Sequence, residues 1–308
     1  MSPGGVDLTS RIGEVVLPNP VMTASGTAGY GAELGRYVDL GRLGAVVVKS
    51  LSAEPWGGNP PPRLHETGAG MLNSVGLQNP GVGYWLEHEL PALLGTGARV
   101  VASIWGFTVE AYAQAAELLA GAPSGVVAVE VNLSCPNVEA RKNIFAHSPA
   151  ATAEAVRATA AAGRPRWAKL SPNVTDITEI AAAAVDAGAA ALTLVNTVMG
   201  LAIDPETRRP RLGAGGGGLS GPAVHPVAVR AVHDVHRALP GVPLVGVGGV
   251  GCAEDAVELV LAGASAVQVG TATFSDPRAP ARILREVATW CRRHGVRRLA
   301  DLIGAIDD

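Results

Sequence analysis

A single thiol stands between two carboxamides in Asn132-Leu133-Ser134-Cys135-Pro136-Asn137, directly after the apolar run Val126-Val127-Ala128-Val129-Glu130-Val131. With an ordinary thiol pKa of about 8.5, Cys135 can exchange a proton with a bound substrate near neutral pH, and as a thiolate it can be a nucleophile. A cysteine at a strand end also serves as a small buried hydrophobe. Two lysines end apolar runs in the same way, Lys49 after Ala45-Val46-Val47-Val48 and Lys169 after Trp167-Ala168. An ammonium there needs a counter-charge, which a ligand phosphate, an anionic ring, a carboxylate or a structural salt bridge supplies. A second carboxamide cluster, Asn73-Ser74-Val75-Gly76-Leu77-Gln78-Asn79-Pro80, mixes small, amide and apolar residues suited to a planar polar substrate. An Asn-Pro turn explains Asn79 equally well, so the functional weight rests on Asn73.

Glycines mark two further positions. Val247-Gly248-Gly249-Val250 and Val269-Gly270-Thr271-Ala272 each place glycine where a strand turns into a helix, which lets backbone N–H groups approach a ligand closely. Either alone reads as a tight turn; the two at adjacent strands favour a bound phosphate.

The elements that must position these groups are legible as an alternation. Short β-branched runs over 21–25, 45–50, 100–104, 126–132, 166–170, 191–196, 243–248 and 266–270 alternate with helix-period segments over 34–40, 83–94, 109–119, 150–161, 177–187, 222–238, 253–262 and 279–291. Several runs are apolar on both faces, as strands between a barrel interior and a helix layer must be. The expected fold class is α/β, a (β/α)8 TIM barrel in a single domain over 1–308, with an insertion around 51–80 and a loop around 198–221 over the active site. The glycine run 213–218 reads as a mobile loop. Active sites of this fold form at the C-terminal strand ends, here Ala24-Ser25, Lys49-Ser50, Ser103, Asn132 with Cys135, Lys169, Asn196-Thr197, Gly248-Gly249 and Gly270-Thr271.

Composition narrows the classes. The chain has 308 residues, 48% hydrophobic and 17% charged, with a formal net charge of −3. That fits a compact α/β protein and gives no basic surface for nucleic acid. Cys135, Cys252 and Cys291 lie far apart, so the chain builds neither a zinc nor an iron–sulfur site by itself, and no metal is expected. A reducing cytoplasm is the expected location. The N-terminus lacks a signal pattern, and no apolar run approaches the ~20 residues of a membrane span, so no membrane attachment is expected.

Ten motifs in order resemble the class 1 dihydroorotate dehydrogenases almost end to end. They are Thr23-Ala-Ser-Gly-Thr27, Val48-Lys-Ser50, Gly58-Asn-Pro-Pro-Pro-Arg-Leu-His-Glu-Thr67, Asn73-Ser-Val-Gly-Leu77, Asn132-Leu-Ser-Cys-Pro-Asn137, Lys169-Leu-Ser-Pro-Asn173, Val195-Asn-Thr197, Gly217-Gly-Leu-Ser-Gly221, Gly246-Val-Gly-Gly249 and Gln268-Val-Gly-Thr271. The resemblance implies a (β/α)8 flavoenzyme of pyrimidine synthesis in which Cys135 removes the C5 proton of dihydroorotate while the C6 hydride moves to FMN. It implies that Lys49, Asn73, Ser74, Val75, Gly76, Leu77, Asn132, Asn196 and Thr197 hold the substrate, with Asn137 a further candidate and Lys49 counted with Cys135 as catalytic. It implies that Ala24, Ser25, Lys49, Ser50, Ser103, Asn132, Lys169, Val195 and Gly221 line FMN, with Gly248, Gly249, Gly270 and Thr271 at its phosphate. Physically, Lys169 can stabilise negative charge on the reduced flavin.

Within that family, a cysteine base and the lack of an N-terminal membrane helix separate the chain from the quinone-linked class. The segment 204–213 is similar to the NAD-linked type, whose catalytic subunit works with a partner carrying FAD and a 2Fe–2S cluster. A homodimer core, extended to a heterotetramer with that partner, is implied. The chain itself has no Gly-x-Gly-x-x-Gly after a strand. Three departures stand out: Ser103 replaces an expected flavin-contacting asparagine, Trp56 a usual arginine, and 139–145 a more glycine-rich stretch over substrate. Competing readings are a reductase of uracil or thymine like dihydropyrimidine dehydrogenase, and a Schiff-base aldolase using Lys169 as its amine.

Overall fold

A computed structural model describes residues 5–134 and 144–307. Its centre is a parallel eight-stranded sheet of β1 (Val21–Thr23), β2 (Val46–Val47), β3 (Val100–Ile104), β4 (Val126–Asn132), β5 (Arg166–Lys169), β6 (Ala191–Leu194), β7 (Leu244–Val247) and β8 (Ala266–Val269). Neighbours follow chain order from β2 to β8, and β8 pairs with β1. The remaining seam closes through Gly44 N–H to Val21 O (2.8 Å) and Val47 N–H to Thr23 Oγ1 (2.9 Å), so the sheet is a barrel. All eight expected strands are present, each within two or three residues of its expected bounds at either end.

Alternation along the strands separates two cores. Val100, Ala102, Ile104, Val129, Val131, Ala168, Leu192 and Leu194 pack outward against the helices. Met22, Ala45, Val47, Val101, Ala128, Trp167, Ala191, Val245 and Ala266 fill the barrel interior, where a hairpin of Ser10–Ile12 and Val15–Leu17 adds Ile12, Val15 and Leu17. Two positions further along, on the same inward face, stand Lys49, Ser103, Glu130, Lys169, Thr193 and Gln268. The interior thus changes from apolar to polar one layer below the mouth. Strand register sets the polar residues side by side, Ser103 against Glu130, Asn132 against Lys169 and Lys169 against Thr193.

Val109–Leu119 forms the helix expected there, capped by Thr108, whose Oγ1 accepts from Ala111 N–H at 3.2 Å. The segment 34–40 is not an α-helix. It forms two 3-10 turns, Glu33–Arg36 and Leu40–Arg42, because Asp39 leaves helical backbone and turns its carboxylate onto Gly41 N–H. The helix expected over 83–94 is interrupted by a π turn, Trp85–Glu89. Pro91 follows it and has no N–H to give to the preceding turn.

The excursions over the mouth form an antiparallel sheet ordered Val198–Gly200, Gly217–Ser220, Gly70–Asn73, Leu64–Thr67. The glycine run expected as a mobile loop therefore ends in a strand. Glycine is required there by close approach: a Cβ at Gly217 would lie 2.4 Å from Asn73 O, and one at Gly218 would lie 2.0 Å from Thr197 Oγ1. No helix among the described residues is long and apolar enough to cross a membrane, and no group of three His, Cys, Asp or Glu side chains suited to a metal occurs among them.

Candidate active site

The mouth of the barrel, under the antiparallel sheet, encloses a cavity of about 440 Å3. Ala24, Ser25, Lys49, Ser50, Asn73, Ser74, Val75, Gly76, Leu77, Asn132, Lys169, Val195, Asn196, Thr197, Gly221, Gly248, Gly249, Gly270 and Thr271 line it, which brings together most of the expected site. Cys135 and Asn137 lie outside the described residues, as does most of the 139–145 departure.

Ser103 stands deeper than the other strand-end residues. It is fully buried and does not line the cavity, because its place on β3 faces the polar layer below the mouth. Its hydroxyl pairs with Ser50 Oγ at 2.9 Å and reaches the cavity wall only through that serine. Ser50 also meets Ser25 Oγ at 3.2 Å and accepts from Asn132 Nδ2 at 3.2 Å. Asn196 Nδ2 donates to Asn132 Oδ1 at 3.1 Å, and Asn196 Oδ1 accepts from Thr197 N–H at 2.8 Å. The expected carboxamides and hydroxyls thus form one connected row across four strand ends, those of β1, β2, β4 and β6, whose dipoles are fixed before any ligand arrives. Tyr112 holds the row from behind, its hydroxyl donating to Asn132 O at 2.7 Å.

Below that row, Lys169 Nζ stands 3.3 Å from Glu130 Oε1 and 3.4 Å from Gln268 Oε1, and Gln268 Nε2 donates to Glu130 Oε2 at 2.7 Å. The structural counter-charge for Lys169 is therefore a carboxylate of the chain itself. Lys49 reaches the cavity along Gly26, where a Cβ would sit 3.3 Å from Lys49 Cδ.

The loop 74–79 is held from two sides. Trp56 Nε1 donates to Gly76 O at 3.0 Å while its ring meets Phe107 edge-on, so this departure has become a loop anchor. Tyr30 donates to Gln78 O, and burial together with the Glu33 carboxylate pushes its phenol well above the ordinary range, keeping it a neutral donor. Leu77 takes a left-handed φ of 64°, a strained value for a side chain of that size, at the cavity wall.

Gly249 has φ of 71°, and a Cβ there would meet His225 Cβ at 2.6 Å; a Cβ at Gly248 would meet Ala228 Cβ at 2.7 Å. His225 fixes this turn, with Nδ1 2.8 Å from Gly248 O and Nε2 3.1 Å from Glu258 Oε2. The short helix Ala272–Ser275 follows β8, the arrangement in which barrels commonly seat a phosphate. These features fit a flavin nucleotide: bare backbone at the glycine turns for its phosphate, an ammonium at the cavity floor for the ring's developing charge, and a volume in the ~300–1,000 Å3 range of ligand pockets.

Four contributors were not foreseen. Asn173 lines the cavity, donates from Nδ2 to Thr197 O (2.9 Å) and accepts from Met199 N–H (2.8 Å), tying the chain that leaves β5 to the first strand of the antiparallel sheet. Glu130 and Gln268 were visible as polar residues in apolar strands, two steps from Asn132 and from Gly270, a spacing that puts them on the ligand face. His225 carried no local signal, since its partners come from the turn after β7 and from the helix Ala253–Leu261.

Fold and site together define a (β/α)8 barrel with its cavity at the C-terminal strand ends, where enzymes of this fold work, lined by groups suited to a phosphate-bearing cofactor and a planar polar ligand. A family profile described as dihydroorotate dehydrogenase matches residues 7–290, and the chain belongs to that family. A relative in Solibacter usitatus, with the provisional name dihydroorotate dehydrogenase A (fumarate), is 49% identical over 97% of this chain and 98% of its own. The protein named dihydroorotate dehydrogenase B (NAD(+)), catalytic subunit, in Desulforudis audaxviator is 51% identical over 96% of this chain and 95% of its own. The like-named subunit of Geobacter sp. strain M21 is 47% identical over 98% of each. The family's enzymes are flavin-dependent oxidoreductases that oxidise dihydroorotate in pyrimidine biosynthesis, which sets aside the uracil reductase and aldolase readings.

Proposed function

We propose that this chain is the FMN-bearing catalytic subunit of an NAD-linked dihydroorotate dehydrogenase, with Cys135 as the base. The observation that carries the reading is the convergence of Lys49, Asn73, Asn132, Asn196 and Thr197 with Lys169 and the β7 and β8 glycine turns around one cavity. Lys49, the three asparagines and Thr197, with the backbone of 74–77, bind and orient the substrate ring and its carboxylate. Cys135 takes the proton from C5, and Asn137 assists in holding the ring. FMN, when bound, supplies the acceptor for the C6 hydride. Ser25, Ser50, Val195 and Gly221 flank it, and the backbone of Gly248, Gly249, Gly270 and Thr271 holds its phosphate. Lys169 stands where negative charge develops, an advantage only in a site that excludes water.

A partner subunit with FAD and a 2Fe–2S cluster, joined to a homodimer of this chain, belongs to the same proposal. Support comes from relatives named as NAD(+) catalytic subunits and from the want of a dinucleotide fingerprint in this chain. A cytoplasmic location is part of it and rests on the free thiols Cys252 and Cys291. The fumarate name of the Solibacter relative favours a second reading in which the chain works alone. Purified chain, mixed anaerobically with dihydroorotate, is expected to bleach its flavin; bleaching by dihydrouracil alone overturns the substrate assignment. NAD+ reduction only when the partner is co-expressed supports the NAD-linked type, and fumarate turnover by the chain alone supports the second reading.

A further inference from the structure

We infer that Glu130 is a positioning residue that sets the reduction potential of the flavin, acting through its ion pair with Lys169. The inference rests on the flavin reading above and deepens it. Glu130 is fully buried, and its side chain does not line the cavity. Both carboxylate oxygens are engaged inside the barrel: Oε1 by Lys169 Nζ at 3.3 Å and by Ser103 Oγ at 3.5 Å, Oε2 by Gln268 Nε2 at 2.7 Å. Gln268 is also fully buried and accepts from Lys169 through its other amide atom at 3.4 Å. The three side chains therefore close a triangle with Lys169 at the corner that touches the cavity.

A cavity-facing ammonium alone would favour the reduced flavin strongly, because reduction gathers negative charge beside it in a medium that screens little. The carboxylate behind it draws the same protons the other way. Seen from the cavity, the pair is a dipole with its positive end forward rather than a full charge. The position of Glu130, two residues before Asn132 on one strand face, fixes that dipole by backbone geometry. Packing alone does not need an acid here, since an apolar side chain of similar volume fills a barrel interior at less desolvation cost.

The test is the midpoint potential of the bound flavin, measured by equilibration with a reference dye in the purified flavoprotein. Glu130→Gln keeps the shape and an acceptor for Lys169 but removes the charge. It is expected to move the equilibrium toward reduced flavin by about tenfold or more, which is about 30 mV for a two-electron couple. Should Glu130→Gln not accumulate as folded protein, Gln268→Met tests the same idea in the opposite sense. It removes the Nε2 donor, throws Glu130 more fully onto Lys169, and is expected to lower the potential. A purely structural Glu130 would lower thermal stability and leave the potential in place. An unmoved or lowered potential in Glu130→Gln, or an unmoved or raised one in Gln268→Met, overturns the inference. Unaltered protein that binds no flavin overturns the flavin reading and this inference with it; flavin bound at an unmoved potential overturns this inference alone.

Discussion

Asn196 donates to the side chain of Asn132 at 3.1 Å, joining the end of β4 to the chain leaving β6 across the intervening β5. The same Asn196 receives backbone support, its N–H donating to Leu170 O at 2.8 Å. The two carboxamides, both at the cavity wall, therefore orient one another. A group held in this way loses little entropy when substrate binds, which is what preorganisation contributes to a rate.

Replacement of the base tests the centre of the proposal. Cys135→Ser is expected to retain flavin but to slow its reduction by dihydroorotate at neutral pH by about 100-fold or more, because a hydroxyl is a far poorer base than a thiol. Anaerobic stopped-flow absorbance reads the rate, and an unchanged rate means the base lies elsewhere.

Lys169→Ala strands Glu130 in the barrel interior. Removing one partner of a buried pair costs about 3–5 kcal/mol, and here the pair is 7% and 0% exposed. A lower Tm together with weakened flavin retention is expected; full occupancy and unchanged reduction would remove Lys169 from the site.

Asn173→Ala releases Thr197 O and Met199 N–H together. Steady-state kinetics are expected to show KM for dihydroorotate raised about tenfold, from hydrogen bonds worth about 1–2 kcal/mol, with kcat falling less than KM rises. A change in flavin content with no change in KM would instead place Asn173 at the cofactor.

Gly249→Ala puts a methyl group 2.6 Å from His225 Cβ on a backbone with φ of 71°. The left-handed conformation costs an alanine about 1–2 kcal/mol before the clash is counted. Dialysis followed by absorbance is expected to show faster flavin loss, and a variant that holds flavin normally argues against a phosphate at this turn.

Thiol chemistry separates the three cysteines. Burial pushes the Cys252 and Cys291 thiols above their ordinary pKa, so each offers less thiolate at a given pH and reacts fully only in more alkaline solution. Iodoacetamide at neutral pH is expected to label Cys135 first, and orotate to slow that labelling, as read by peptide mass spectrometry. Preferential labelling of Cys252 that orotate leaves unaffected would count against a substrate beside Cys135.

The barrel and most of the candidate site were legible because both follow from period-two alternation and from what stands at each strand end. Ser50, Asn132 and Lys169 fell where a parallel barrel must present them. Ser103 lies a layer lower, since its strand runs one residue beyond it and sets the serine facing Glu130 across the register. The sheet over the mouth was hidden for another reason. Leu64–Thr67 and Val198–Gly200 pair only with partners remote in the chain or across a tight turn, and glycines in Gly217–Ser220 mask any alternation. The helix expected over 34–40 failed on Asp39, whose side chain competes for backbone N–H.

The roof over the mouth joins Asn73 to Gly218, residues 145 positions apart, while the barrel below it grows strand by strand in chain order. During synthesis the second half of that roof, Val198–Gly200 and Gly217–Ser220, follows directly on the sixth stave and precedes the last two. Competence to enclose a ligand is thus withheld until nearly all of the polypeptide has been made, and a chain terminated after Ser220 has its ceiling strands while lacking the two staves that complete the floor.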